Sequence, residues 1–291
     1  MSVVTSPSEA RNAAAARGRL RLSFIRDAQA GFGAGRLDGL DQRAPLRALF
    51  PQPHDPGVPM AVIVTTSGGL VGGDALEVDV SVSAGASALV TTQAAEKVYR
   101  SRGATCDIRV DLDVGAEGWL EWLPNETIVF DRARLRRKTS VSLATSARLL
   151  AGEILVFGRR AHGEQFTAGA IHDAWEIRRD GRLIWTDAFR LADDVGAVRA
   201  SPAGLDGAAA AATIVCAPAD ARPVTASARA HAQRAASADL RIGATQIGAT
   251  LLVRLLGRDA RTLRAAFAEL WALLRHEAGG LAPCLPRLWS I

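Results

Sequence analysis

A glycine cluster is the most unusual local feature of the sequence, and it ends in an acidic residue: Gly68-Gly69-Leu70-Val71-Gly72-Gly73-Asp74. Its Gly-Gly-x-x-Gly-Gly spacing differs from the Gly-x-Gly-x-x-Gly turn that binds dinucleotides, and a strand pattern follows where that turn needs a helix. Without a helix N-terminus there is no ready site for a pyrophosphate. We therefore interpret Gly68, Gly69, Gly72 and Gly73 as positions where the backbone turns sharply and packs against another segment.

Other short motifs of catalysis are missing from the sequence. It contains no His-Glu-x-x-His, Cys-x-x-Cys or Gly-x-Ser-x-Gly. A P-loop needs a Gly-Lys-Ser/Thr step, and the two lysines, Lys97 and Lys138, lack these neighbours. Nucleotide hydrolysis by this chain is thus excluded in its P-loop form, and nucleophilic catalysis has no motif to support it.

Histidine and cysteine are too few and too dispersed for a tight metal centre. Five histidines and three cysteines are spread over 291 residues. His162 and His172 are expected to be solvated, while Cys106 and Cys216 lie in apolar strand patterns where cysteine acts as a small hydrophobe. We expect neither a disulfide framework nor a zinc site.

The net charge of +5 does not predict a nucleic-acid partner. Residues 1–47 hold eight arginines against four acidic residues, so most of the excess lies near the N-terminus. Arg134, Arg136, Arg137 and Lys138 form one dense run, which we interpret as a solvated strand face. Since no stretch has the length and apolarity of a membrane span or a secretory signal, we expect a soluble cytoplasmic protein.

Alternation of apolar and polar residues predicts a mainly β body. Asp180-Gly181 is a two-residue hairpin signal because glycine tolerates a positive φ. Turn signals recur between the strands, and helical periodicity is almost missing before the C-terminal part. The predicted strands cover residues 20–24, 61–66, 76–82, 88–92, 108–112, 119–123, 136–143, 149–157, 175–178 and 183–191.

The C-terminal part carries the helical signals. Asp259 is a candidate N-cap, and Gly279-Gly280 can end the helix. A second helix is predicted around residues 226–236, and a hairpin over 240–256. We expect residues 1–18 to form a flexible tail and residues 19–291 a single domain. The main helix is predicted from an apolar stripe: Leu263, Phe267, Leu270, Trp271 and Leu274.

Several of these segments resemble the urease accessory protein UreD family, also called UreH. Residues 67–74, followed by 89–101 with Glu96, Lys97 and Tyr99, are similar to its hallmark. Residues 120–128, 152–164 and three C-terminal segments resemble further family motifs in order and spacing, so the likeness spans about residues 20–291. Gly152 departs from the family, which often has an aromatic residue there.

The resemblance implies a maturation factor without catalytic activity of its own. UreD proteins bind apo-urease and, with the partner UreF, recruit the GTPase UreG that delivers nickel. The implied fold is mainly β, a β-helix-like stack with two C-terminal helices. Nickel is then a transient cargo and no cofactor is tightly bound, while a homodimer within the UreD–UreF–UreG assembly is left open.

A conduit needs only weak ligands, since a metal that is passed on must also leave. We hypothesise a polar, water-containing path through the β body, lined by carboxylates. The alternative is that these acids pair with nearby arginines such as Arg100, Arg159 or Arg190. The candidate path residues are Asp74, Glu96, Glu153 and Asp187.

Two rival functions remain at this point. One is a β-rich enzyme that uses the glycine loop and Tyr99, the only tyrosine; a perturbed acid–base pair in a closed pocket would favour it. The other is a scaffold without any metal contact. The C-terminal helix and the Trp289 tail are candidates for contact with UreF, unless Trp271 and Trp289 close the core.

Overall fold

The computed structural model describes residues 15–29, 33–53, 55–192 and 194–290. The helices of these ranges are α1 (Val195–Ala200), α2 (Ala221–Ala235) and α3 (Ala260–Gly279). Their strands are β1 (Arg17–Arg26), β2 (Gly35–Arg43), β3 (Leu46–Leu49), β4 (Met60–Thr65), β5 (Ala75–Val82), β6 (Ser87–Thr92), β7 (Glu96–Val98), β8 (Cys106–Val114), β9 (Trp119–Leu123), β10 (Thr127–Val129), β11 (Arg134–Leu143), β12 (Arg148–Phe157), β13 (Ala170–Arg179), β14 (Arg182–Leu191), β15 (Ala210–Ala217), β16 (Leu240–Ile247) and β17 (Thr250–Gly257).

Two sheets face each other, and the chain passes back and forth between them. The first sheet has the order β14-β13-β11-β8-β5-β1-β2, and the second has the order β16-β17-β15-β12-β9-β6-β4-β3. Each coil has one strand in the first sheet and the following strand in the second: β5 with β6, β8 with β9, and β11 with β12. Neighbouring coils pair in parallel, so β8 lies between β5 and β11 in the first sheet and β9 lies between β6 and β12 in the second. Stacked coils of this kind make a β-solenoid, so the predicted β-helix-like body is confirmed.

The period of two in each strand decides which side chains enter the core. Val78 and Val80 of β5 and Val110 and Leu112 of β8 belong to the apolar cluster between the sheets. The opposite face of the second sheet, with Ile154 of β12, packs against α2 and α3 in a separate cluster. The molecule therefore has three layers: first sheet, second sheet and helices.

Helix α3 begins and ends where the sequence predicts. The Asp259 carboxylate accepts a hydrogen bond from the Thr262 N–H at 2.8 Å, which satisfies a donor that the first turn leaves free. Gly280 follows the helix in the left-handed conformation, with φ 70°. The predicted second helix and the C-terminal hairpin are confirmed as α2 and as β16 with β17.

The N-terminal third differs most from the sequence prediction. Strand β2 lies at an edge of the first sheet and is mostly exposed, so its residues show no apolar alternation to predict it. Of the predicted tail, residues 1–14 lie outside the described residues, and Arg17 and Gly18 already belong to β1. In the described part of the chain, no helix combines the length and the apolarity that crossing a membrane requires.

Candidate functional site

Three neighbouring cavities share walls that contain ionisable side chains. The outer cavity, about 160 Å³, lies beside the glycine loop and is lined by residues 67–69 and 92–97, among others. The central cavity, about 70 Å³, lies between the sheets and is lined by Glu96, Arg137 and Glu153 among apolar and threonine side chains. The far cavity, about 240 Å³, is lined by Glu153, Asp173 and Asp187.

The three cavities are adjacent, because neighbouring cavities have lining residues in common. Thr65, Thr92 and Glu96 line both the outer and the central cavity. Glu153 lines both the central and the far cavity. The central cavity is the smallest of the three, and its volume of about 70 Å³ has room for a few water molecules, which its polar groups can bind. Three of the four acids predicted from the sequence thus lie along one series of cavities.

Glu96 lies at the wall between the outer and central cavities. It is the first residue of β7, and its backbone N–H donates to the Glu126 carbonyl at 2.8 Å. Its carboxylate accepts a hydrogen bond from the Thr65 hydroxyl at 2.5 Å. Burial raises the pKa of Glu96, and the Thr65 hydrogen bond opposes that rise.

A buried ion cluster separates the central cavity from the far one. Arg137 Nη2 lies 2.6 Å from Glu153 Oε2 and also contacts Asp173 Oδ2. Arg137 Nε donates to Asp173 Oδ1 at 2.9 Å, and Nη1 donates to the Thr127 hydroxyl at 3.0 Å. Only 8% of Arg137 and 1% of Asp173 are exposed. The prediction that Arg137 lies on a solvated strand face is therefore wrong.

Strand geometry explains why Arg137 lies inside. The inward positions of β11 are Leu135, Arg137, Thr139 and Val141, while Arg136 between them is exposed. In the parallel register, Arg137 pairs with Asp173 of β13, so both side chains point to the interior. Glu153 reaches them from the opposite sheet.

Glu153 is the most perturbed acid of the series. The pKa of Glu153 is raised to about 8, chiefly by burial and next by the nearby Asp173 charge, while Arg137 opposes the rise. The indole N–H of Trp175 also opposes it, yet this buried nitrogen completes no hydrogen bond within the described residues. Arg137 itself has a raised pKa, since the two carboxylates outweigh the effect of its burial.

Asp187 lies at the far end, where the series approaches the surface. Its carboxylate pairs with Arg254 at 2.7 Å, and the Asp187 side chain is 28% exposed. Pairing with arginine thus does occur for Glu153 and Asp187, but the partners are Arg137 and Arg254. Arg159, one of the partners expected from the sequence, instead donates to Glu164 at 2.6 Å.

Asp74 lines none of these three cavities and stabilises the glycine loop. Its carboxylate accepts hydrogen bonds from the N–H of Ala16 at 2.7 Å and of Val71 at 2.8 Å. Gly69 has φ 141°, and a Cβ there would lie 2.4 Å from the Tyr99 ring. The Tyr99 hydroxyl donates to the Gly68 carbonyl at 2.8 Å. Loop and tyrosine therefore hold each other by close packing.

Sequence reasoning missed Arg137 and Asp173 as members of the site. A signal for Asp173 exists: it interrupts an alternating apolar series, with Ile171 before it and Trp175 after it. A charged residue at such an inward position requires a partner. Arg137 has a comparable signal, because it falls in phase with Leu135 and Val141 of β11, but the basic residues on either side of it obscure the alternation.

The described residues contain no group of three or more His, Cys, Asp and Glu side chains placed to hold a metal ion together. Burial raises the pKa of Cys106 and of Cys216 to about 12, so both are neutral thiols at pH 7. His162 and His172 are exposed. The side-chain oxygens that the cavity walls offer to a metal ion are those of carboxylates, hydroxyls and amides.

Comparison with known proteins gives one consistent result. The family model described as UreD urease accessory protein matches residues 16–290. A urease accessory protein UreD of Magnetococcus marinus is 42% identical over 293 residues, covering 100% of this chain and 99% of that protein. Proteins of the same name from Granulibacter bethesdensis and Rhodopseudomonas palustris are 44% and 39% identical, over 83% and 90% of this chain and 99% and 90% of their own lengths.

Proposed function

The chain belongs to the UreD urease accessory protein family, and from that premise we propose that it is a non-catalytic factor that promotes nickel insertion into urease. In this proposal it binds apo-urease and, together with UreF and the GTPase UreG, forms the assembly that delivers nickel. It works in the cytoplasm, and nickel is its cargo rather than a cofactor. A second copy of the chain in that assembly is part of the same proposal.

The series of cavities supports a conduit rather than a storage site. Its main support is that Glu96 and Glu153 each line two neighbouring cavities, so that carboxylates mark both junctions. Asp187 adds a third carboxylate where the far cavity approaches the surface. We propose that nickel moves from one carboxylate to the next between the two sheets, with water as its other ligand.

The ligand chemistry is suited to transfer. Nickel(II) binds imidazole and thiolate more strongly than carboxylate and water. The path offers the weaker class, so each site can release the ion to the next. When no metal ion is bound, each acid has a hydroxyl or guanidinium partner that stabilises its charge: Thr65 for Glu96, Arg137 for Glu153 and Arg254 for Asp187. Without such partners, buried charges would cost several kcal/mol each.

Nickel-dependent activation of urease tests the proposal. We expect Glu96→Ala and Glu153→Ala to lower the activation rate about tenfold in cells that supply urease and the other accessory proteins, which corresponds to about 1.4 kcal/mol. Asp113→Ala is the matched control, because Asp113 is an exposed acid on the outer face of the first sheet. Folding and co-purification with urease subunits are measured for each variant.

The outcomes separate the conduit from its alternatives. If both path variants fold, bind their partners and activate urease fully, the conduit is wrong and a scaffold without metal contact explains the role. Turnover of a small molecule by the purified chain would instead support the enzyme alternative. Tyr99 gives the enzyme alternative little support, since its hydroxyl donates a hydrogen bond to the Gly68 carbonyl.

A further inference from the structure

We propose that Arg137 is an internal gate: a resident cation that closes the junction between the central and far cavities until a divalent cation displaces it. This inference rests on the proposed function, because it gives the conduit a closed and an open state. It concerns the ion cluster of Arg137, Glu153 and Asp173, defined here as the gate cluster.

The gate cluster occupies the wall between two cavities. Arg137 lines the central cavity, Asp173 lines the far cavity, and Glu153 lines both. All three nitrogens of the guanidinium are engaged, with Asp173, with the Thr127 hydroxyl at 3.0 Å and with Glu153 at 2.6 Å. An ion that passes from one cavity to the other must therefore compete with the guanidinium for the same carboxylates.

Nη2 of Arg137 lies between two carboxylates, at the position where a metal ion would bind. Arg137 Nη2 contacts Glu153 Oε2 from the second sheet and Asp173 Oδ2 from the first. Two carboxylate oxygens that converge on one point can bind a divalent cation such as nickel(II), with water as its other ligand. A divalent cation brings twice the charge of the guanidinium, so it can also displace to water the proton that the raised pKa of Glu153 favours. The arrangement thus favours displacement of Arg137 by a divalent ion.

The surroundings also allow the exchange. The central cavity, about 70 Å³, adjoins the guanidinium and gives it room to withdraw. The indole N–H of Trp175, which is 2% exposed and completes no hydrogen bond, is a spare donor beside Glu153. When Arg137 leaves, Glu153 therefore still has a donor to hold it in place.

Stability alone does not account for the cluster. Buried ion clusters can often be replaced by apolar side chains without loss of stability, because desolvation offsets the attraction between the charges. The adjacent inward positions of β11 are Leu135, Thr139 and Val141, so an apolar residue would fit the pattern of the strand at position 137. Exchange with a divalent cation, in contrast, requires a positively charged side chain at position 137.

The test measures nickel binding by the purified full-length chain, without partners. In the unaltered protein Arg137 occupies the carboxylates, so nickel sulfate binds weakly in calorimetric titration. Arg137→Met leaves Glu153 and Asp173 without their cation, and we expect one nickel ion per chain to bind at least about tenfold more tightly. The matched control, Arg137→Met with Asp173→Asn, removes one charge of each sign and is expected to lose that gain.

Equal nickel affinity in folded Arg137→Met and unaltered protein would overturn the gate. If Arg137→Met does not fold, Arg137→Lys serves instead, because lysine keeps the charge but lacks the fork that contacts both carboxylates and Thr127. A severalfold gain in affinity is then expected, and no gain overturns the proposal. A purely structural cross-link predicts no change in nickel affinity in either variant.

These measurements separate the gate from the conduit. Should Arg137→Met bind nickel tightly while Glu96→Ala and Glu153→Ala activate urease fully, the exchange chemistry stands and the conduit fails. Should the path variants block activation while Arg137→Met gains no affinity for nickel, the conduit stands and the gate fails. The titration with nickel sulfate is thus the decisive experiment for Arg137.

Discussion

Arg137 and Glu153 join the two sheets across the interior, with 2.6 Å between Nη2 and Oε2. They lie on β11 and β12, which follow each other in the chain and form one coil of the solenoid. Most inward positions around them are apolar and belong to one continuous core cluster. The contact therefore places two charged side chains inside a core whose other inward residues are mostly apolar.

The stability of the protein should fall as pH rises across the titration of Glu153. Its pKa is raised from 4.5 to about 8, chiefly by burial and next by Asp173. Between these values the native state keeps a proton that the unfolded chain has released. The contribution of Glu153 to the free energy of unfolding is therefore largest below pH 4.5 and decreases up to about pH 8, by at most about 1.4 kcal/mol per pH unit.

Urea unfolding between pH 5 and pH 8.5 measures this slope. Glu153→Gln should flatten it, because glutamine cannot release a proton, whereas Asp113→Asn should leave it unchanged. A Glu153→Gln protein with the slope of the unaltered chain would contradict the raised pKa.

Arg275→Met should destabilise the protein by about 3–5 kcal/mol, since it leaves a buried carboxylate without its counter-ion. Arg275 of α3 contacts Glu121 at 2.9 Å and Asp55 at 2.5 Å, and Glu121 is 0% exposed. Adding Glu121→Gln should recover much of the loss. Urea unfolding gives the values, with Arg261→Met as an exposed control on the same helix. Equal stability of Arg275→Met and Arg261→Met would refute the role of the pair.

Gly152→Ala should cost about 1–3 kcal/mol, because an added methyl group overfills a packed contact. A Cβ at Gly152 would lie 2.8 Å from Phe267 Cζ and 3.0 Å from the Thr213 carbonyl oxygen. Phe267→Leu should make the alanine better tolerated by removing the ring. Thermal unfolding of the two single variants and the double variant tests this coupling, and purely additive effects would argue against it.

Trp289→Ala should destabilise the isolated chain by about 3–5 kcal/mol, which a mere partner contact would not do. Trp289 is 5% exposed and stacks on Phe267 at 5.6 Å between ring centroids. Arg264 covers its other side at 4.2 Å from the ring centroid. Arg287→Ala, an exposed neighbour, is the control. An unchanged melting temperature combined with lost capture of UreF would instead assign Trp289 to a docking surface.

Gly152 lies where the family resemblance leads us to expect an aromatic residue, and the contact with α3 explains the glycine. The outward face of β12 meets Phe267, and only a residue without a side chain leaves the ring its place. Glu153, the next residue, points the opposite way into the cavities. Glycine at position 152 therefore serves the packing of α3 and leaves the inward position of Glu153 intact.

Local sequence determined the elements that depend on neighbours in the chain. The Asp180-Gly181 turn needs only two residues with positive φ, and they have φ 48° and 78°. Helix α3 needs its apolar stripe, the Asp259 cap and Gly280, all within one segment. Alternation over residues 76–82 likewise fixes one buried face of β5. Each of these signals acts over a few residues, so the sequence alone carries them.

Tertiary structure decided which charges meet. Arg137 contacts Glu153 and Asp173, which lie 16 and 36 residues away in the chain and on different strands. Arg137 is in phase with the apolar residues of β11, but only the strand register brings it beside Asp173. The same register brings Glu96, Glu153 and Asp187 to one series of cavities and leaves Asp74 with the glycine loop. Pairing between strands sets these distances, and no spacing along the sequence encodes it.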